Sequence, residues 1–242
     1  MKASFIRTIW IIIASLFSTG LFCLKIIWCG RNNKINRDLT GKQVLSWANN
    51  ILDLVRAKCE VINPNNIEPQ EGVPTIILCN HSSLYDIPIS FLVFPKHPIR
   101  MLAKKELSKI PLMGKAMQRA ESPIIDRKNR KQAIKDLQAI KKLLQSGIVM
   151  WIAPEGTRSR DGKLAAFKKG PFITAIQTKA NIIPIGIRGA FDILPAKTFR
   201  FTIGQKIQVH VGQPISAASY SLDNKDELIN KTHAEMLKLV GE

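Results

Sequence analysis

The sequence predicts an α/β protein: a mixed, largely parallel sheet flanked by helices, preceded by an N-terminal two-helix membrane-associating motif. Two observations carry this prediction. Short β-rich runs alternate with helical patterns from Thr75 to Val240, as in sandwiches whose functional residues gather in loops at strand ends. Ahead of them, Ile9 to Cys29 ("IWIIIASLFSTGLFCLKIIWC") is apolar for about the length of a bilayer crossing, with Lys25 its only charge. The 242 residues, 45% hydrophobic and 22% charged, suffice for one large α/β domain and an appendage.

Each element has a local cause. The apolar run is longer than a cleavable signal peptide needs, and Arg31, Lys34 and Arg37 follow it, so it reads as a retained anchor. Trp10 and Trp28 stand near its ends as interfacial residues do, and the heavier basic flank on the C-terminal side places the main domain in the cytoplasm. After a polar turn, Gly30 to Asn36, the residues Val44, Trp47, Ile51, Leu54 and Val55 recur at helical spacing over Thr40 to Lys58, with Thr40 as N-cap. The connector "NPNNIEPQEGVP", Asn63 to Pro74, then separates an N-terminal unit, 1–62, from an α/β domain, 63–242.

Within that domain, strands are expected at Thr75 to Cys79, Ile99 to Ala103, Pro123 to Ile125, Ile148 to Ala153, Ile182 to Ile187 and Lys206 to Val211. Helices are expected at Arg130 to Gln145, where Ile134, Leu137, Ile140 and Leu144 share a face before Gly147, and at Pro171 to Lys179 and Lys225 to Val240.

The 36 Lys and Arg against 18 Asp and Glu give a net charge of +18, which favours anionic partners. Roughly 19 basic and 6 acidic residues fall between Ile87 and Gly170, so the basic face coincides with the loops. An aromatic content of 7% and the lack of a nucleic-acid motif argue against nucleic acid and leave an anionic membrane surface or phosphorylated substrates. Cys23, Cys29, Cys59 and Cys79 have no metal-ligand spacing and read as small buried hydrophobes.

The stretch "LCNHSSLYDIP" sets His81 and Asp86 five positions apart. A helix turns about 100° per residue, so such positions diverge by about 140° and meet only if the chain between them is not helical. Pro88 is tolerated only in a first helical turn, which starts the helix near Tyr85 or Asp86 and leaves His81 on the preceding turn. Asp86 is equally a good helix cap, and Ser83 with Asp86 matches a capping box. Downstream, "WIAPEGTRSRDGKLAAFKKG" runs an apolar strand into Glu155, Gly156, Thr157 and Arg158. Glycine admits a ligand to the backbone and arginine holds phosphate bidentately, a cradle for a polyol phosphate.

With these blocks the chain resembles the lysophosphatidic acid acyltransferases, the 1-acylglycerol-3-phosphate O-acyltransferases, and their glycerolipid acyltransferase relatives. "NHSSLYD" matches the Asn-His-x-x-x-x-Asp block, "IIDR" at Ile124 to Arg127 the end of the second, "PEGTRS" the third and "IIPIGI" the fourth. "AKKELSKIPLMG", Ala103 to Gly114, matches the run that leads into the second block, and the order holds over roughly Val73 to Gln213. One departure is that relatives commonly have a glycine shortly before Ile-Asp-Arg, where this chain has Ala120, Glu121, Ser122 and Pro123.

The resemblance implies the glycerolipid acyltransferase fold, no cofactor and no metal. It implies transfer of a fatty acyl group from acyl-CoA or acyl-carrier protein to the sn-2 hydroxyl of a lysophospholipid acceptor, 1-acylglycerol 3-phosphate, giving phosphatidic acid. His81 and Asp86 become the catalytic pair; Arg158, Arg127 and Lys105 bind the phosphate; Glu155 orients the glycerol beside Gly156 and Thr157. Two alternatives stand beside this: the same chemistry on another lysolipid, such as a lyso-amino-acid lipid, and a noncatalytic basic lipid-binding membrane protein.

Overall fold

The computed structural model describes residues 1–29, 36–126 and 130–242; Arg127, expected in the phosphate site, lies outside the described residues, as does most of the turn expected over Gly30 to Asn36. The chain opens with helix α1 (Phe5–Cys29) and helix α2 (Arg37–Leu54). The α2 cap is Asn36 rather than Thr40: the Asn36 side chain accepts from the Leu39 N–H, and Thr40 sits buried inside the helix, its hydroxyl donating to the Asn36 carbonyl. Asparagine is the stronger cap, and an earlier start lets Thr40 face inward.

Among the described residues nine strands follow: β1 (Lys58–Ile62), β2 (Thr75–Cys79), β3 (Ile99–Met101), β4 (Ala103–Lys104), β5 (Ile124–Ile125), β6 (Val149–Ile152), β7 (Asn181–Arg188), β8 (Lys206–Val211) and β9 (Ile215–Ser216). Interleaved with them are α3 (Asp86–Phe91), α4 (Met113–Arg119), α5 (Arg130–Gln145), α6 (Lys169–Thr178), α7 (Ala190–Ile193) and, at the end, α8 (Lys225–Val240). The main sheet runs β1-β8-β7-β2-β6-β3, with β9 beside the start of β7; β4 and β5 form a separate parallel pair. Strands β7, β2, β6 and β3 are mutually parallel, and β8 meets β7 antiparallel, so the sheet is mixed as expected.

Burial explains the strands that the sequence makes obvious. Every residue of β2 and β6 is buried, because helices cover both faces of the central sheet. Ile77, Cys79, Val149 and Trp151 join a core with α2 and α3, whereas Ile76, Leu78, Met150 and Ile152 join a second core with Ile140, Leu144, Phe172 and Met236 of α5, α6 and α8. Strand β1 is the exception. It reads Lys-Cys-Glu-Val-Ile directly after a helix, is mostly exposed, and lies ahead of the boundary expected at residue 63, yet it pairs in parallel with β8 from Lys58–Lys206 to Ile62–His210.

Helix α1 is long and apolar enough to cross a membrane by length and composition. It is held lengthwise against the domain. At its start, the Met1 ammonium donates to the Ile203 carbonyl and Ala3 N–H to Phe201, and Arg7 donates to the Leu54 carbonyl. Midway, Trp47 Nε1 donates to Thr19 and stacks on Phe22, and further on Cys23 and Ile26 pack on Ala116 of α4 and Ala120 just past its end. The opposite face, with Ile13, Leu16, Phe17, Leu24 and Trp28, is exposed.

Glu121, just past α4, has φ 55°, the left-handed region that favours glycine. Its side chain is the compensation: both carboxylate oxygens accept from Arg37, at 2.7 and 2.8 Å, while Arg37 also donates to the carbonyl and hydroxyl of Ser146. This clasp joins the N-terminus of α2 to the ends of α4 and α5.

Candidate active site

The parallel strands β2, β6 and β7 end at the same sheet edge, where α/β proteins place their ligands. Beyond β2, Asn80 continues the strand ladder with its side chain, Oδ1 accepting from Ile187 N–H at 2.8 Å and Nδ2 donating to the Ile187 carbonyl at 2.9 Å. The asparagine of the first block therefore fixes the exit of β2 against β7. His81 follows on a turn, and Asp86 opens α3 as the proline placement predicts.

The turn brings the pair together: His81 Nδ1 and Asp86 Oδ2 are 2.8 Å apart. The same oxygen accepts the backbone N–H groups of Ser82 and Ser83, at 2.7 and 2.8 Å, so three donors converge on one oxygen of a fully buried side chain. An acceptor facing Nδ1 assigns the proton to that nitrogen and leaves Nε2 with a free lone pair. The His81 side chain is 16% exposed, with the Trp151 indole meeting its ring edge-on at 6.0 Å. Of the expected capping box only one arm forms, because the Ser83 hydroxyl turns instead to the Leu194 carbonyl at 3.0 Å.

Glu155 departs from its expected role. It is 2% exposed and both oxygens are taken: Oε1 accepts from the His81 N–H at 2.8 Å and Oε2 from the Ala165 N–H at 3.0 Å. Burial pushes its carboxyl up, and the two amide donors oppose that shift. Buried and holding one backbone amide on each oxygen, Glu155 braces the histidine turn. Ser159, two residues past Thr157, completes the grip by donating its N–H to the His81 carbonyl at 2.7 Å. Both backbone polar groups of His81 are thus held by the third block.

Gly156 takes φ 76°, which turns the chain out of β6. Thr157 and Arg158 then line a cavity of about 320 Å³, together with Ser159, Arg160 and Lys197. Lys105 does not line it: its side chain is 51% exposed and its ammonium pairs with Asp126 Oδ2 at 2.9 Å, which raises its pKa. Sequence reading missed Asn80, Ser159 and Lys197 as contributors. The first two stand inside quoted blocks and could have been asked for a hydrogen-bond partner; Lys197 has no local signal.

The arrangement can do two things. A histidine with a fixed tautomer and a buried carboxylate behind it can take a proton from a hydroxyl, and a cationic cavity one hydrogen bond away can hold a phosphate. Comparisons with known proteins give the family. Residues 58–188 match the family model described as Acyltransferase. The 1-acyl-sn-glycerol-3-phosphate acyltransferase alpha of Mus musculus is 31% identical over 186 residues, 76% of this chain and 64% of that protein. The 1-acyl-sn-glycerol-3-phosphate acyltransferase of Cocos nucifera is 38% identical over 130 residues, 52% of this chain and 42% of that protein. The chain thus spans less than two thirds of either relative. The crystal structure of the 1-acyl-sn-glycerophosphate (LPA) acyltransferase PlsC from Thermotoga maritima superposes with a TM-score of 0.71 and 24% identity, covering 95% of this chain and 97% of that one, which shows the fold. The ordered blocks, the His81 and Asp86 geometry and the family match over residues 58–188 together establish that the chain belongs to the acyltransferase family.

Proposed function

We propose that this protein moves a fatty acyl group from a thioester donor, acyl-CoA or acyl-carrier protein, to the free sn-2 hydroxyl of 1-acylglycerol 3-phosphate, giving phosphatidic acid. The observation that carries the reading is the His81 and Asp86 pair one hydrogen bond from the cavity lined by Arg158.

His81 Nε2 removes the hydroxyl proton as the oxygen attacks the thioester carbonyl, because an alkyl hydroxyl is far too weakly acidic to ionise beforehand. Asp86 stabilises the imidazolium that forms. The tetrahedral intermediate collapses by breaking the C–S bond, and the imidazolium returns its proton to the departing thiolate, so atoms and charge balance. A thioester is already activated, and no acyl-enzyme on a protein nucleophile is needed. Arg158 holds the acceptor phosphate.

The acyl chains of both substrates favour work at a membrane. The exposed apolar face of α1 is of the kind that lies in one leaflet, since its other face is committed to the domain along its length. The reading puts the site on the cytoplasmic side, as the heavier basic flank after the apolar run supports, so that the basic loops meet anionic headgroups.

The test is release of free thiol by purified protein supplied with lysophosphatidic acid and either donor. His81→Ala is expected to lower the rate by about a hundredfold or more. An unchanged rate removes His81 from the mechanism, and turnover only with another lysolipid moves the acceptor assignment there.

A further inference from the structure

We propose that Lys197 sets acceptor specificity: with Arg158 and Arg160 it closes a cationic cavity matched to a phosphate monoester dianion, as distinct from a phosphodiester headgroup. The inference deepens the acyltransferase reading and rests on it.

Arg158, Arg160 and Asp161 come from the loop after β6, whereas Lys197 enters from the loop after α7, so the cavity has walls from two distant segments. The second wall is not free to drift. Lys197 takes φ 61°, unusual for a residue with a side chain, inside a turn closed by the Thr198 N–H and hydroxyl, which both donate to the Pro195 carbonyl. Leu194, three residues earlier, accepts from the Ser83 hydroxyl and ties this loop to the catalytic turn. Gly162, at φ 84°, lies against the ring of Phe191 in α7, where an added Cβ would come within 3.2 Å of the ring. The cradle loop and the Lys197 loop are therefore packed on each other and both are bound to the His81 turn.

Charge decides what fits. Among the described residues no ion pair engages Arg158, Arg160 or Lys197. Asp161, the carboxylate on the lining, turns Oδ1 to its own loop, accepting from the Ser159 hydroxyl at 2.8 Å and the Lys163 N–H at 3.1 Å. Three cations and one carboxylate leave a net +2, against about −1.5 to −2 on a phosphate monoester at neutral pH. A diester carries one charge and a further substituent, and would leave part of the positive field unanswered. The acceptor is favoured over the donor as the source of that phosphate because hydroxyl and phosphate sit on neighbouring carbons of one glycerol. Ser159, likewise, both lines the cavity and hydrogen-bonds to His81.

Lys197 is exposed, so Lys197→Met should fold as the parent does. The experiment measures KM and kcat with lysophosphatidic acid and with acyl-CoA, and equilibrium binding of radiolabelled lysophosphatidic acid and lysophosphatidylcholine. Lys197→Met is expected to raise the KM for lysophosphatidic acid about tenfold with a smaller change in kcat, to weaken binding of lysophosphatidic acid but not of the choline lipid, and to be largely rescued by Lys197→Arg. An unchanged KM and unchanged binding overturn the proposal, and a raised KM for acyl-CoA alone reassigns the cavity to the phosphates of the donor. Failure of the acyltransferase reading would show instead as no thiol release by the parent protein. Binding then decides the cavity separately: a selective loss in Lys197→Met upholds the monoester site, and equal binding overturns it.

Discussion

Glu155 Oε1 lies 2.8 Å from the backbone nitrogen of His81, so a side chain of the third block holds the main chain of the first. Glu155→Gln keeps one acceptor but turns an NH₂ group toward the other amide donor, leaving a buried N–H unpaired. A fall of about tenfold or more in kcat is expected, with a smaller change in the KM for lysophosphatidic acid. A rise in KM alone would show that the carboxylate touches the acceptor.

Asp86→Asn tests charge apart from geometry. An amide oxygen can still accept from His81 Nδ1 and from Ser82 and Ser83, but it no longer offsets a positive imidazolium. A fall in kcat of about a hundredfold or more is expected with unchanged circular dichroism. A loss smaller than tenfold would take the carboxylate charge out of the mechanism.

The exposed face of α1 gives a prediction about location. Leu16 and Phe17 are 69% and 67% exposed, and burying each in lipid is worth about 1.5–3 kcal/mol. Replacing both by Asp should reduce sedimentation with phosphatidylglycerol vesicles more than tenfold while leaving the thermal unfolding midpoint in place. Unaltered sedimentation would mean that this face does not meet the bilayer.

The Arg37 and Glu121 clasp should give stability a pH dependence. Hydrogen bonds from Arg37, opposed by burial, hold the Glu121 carboxyl below its ordinary value of 4.5. A lowered folded pKa contributes stability that is present above the unfolded value and is lost as pH falls through the lower folded one. Glu121→Gln should therefore cost about 1 kcal/mol at neutral pH, the pair being partly exposed, and much less once the parent is acidified below that range. Thermal melts of both proteins from pH 7 downward would read it; parallel curves would deny the clasp its electrostatic contribution.

Gly186 on β7 has no room for a side chain, since a Cβ would stand 2.5 Å from the Leu239 carbonyl carbon of α8. Gly186→Ala should destabilise the fold by about 1–3 kcal/mol in denaturant titration, because backbone must move to admit the methyl group. A change under 0.5 kcal/mol on the order set by ordinary surface substitutions would show that α8 yields freely.

Legibility followed burial and sequence distance. Strands β2 and β8 match their expected ranges, Thr75–Cys79 and Lys206–Val211, and β6 and β7 fall within a residue at each end, because residues covered by helices form apolar or alternating runs. Edge strand β1 falls between the helix expected to end at Lys58 and the connector expected from Asn63, because nothing in Lys-Cys-Glu-Val-Ile announces a partner as distant as Lys206–His210. The place of Asp86 at the start of α3 was readable from Pro88, a local steric fact.

By itself the sequence determined the apolar helix, the covered strands and the helix start that puts Asp86 at the head of α3 with His81 on the turn before it, since each depends on residues within a few positions of one another. The tertiary structure alone decided that Glu155 and Ser159 grip His81 across more than seventy residues and that Lys197 faces Arg158. Those relationships arise because β2, β6 and β7 lie side by side and end at one edge, and strand order in a sheet is a property of the whole core that no local pattern records.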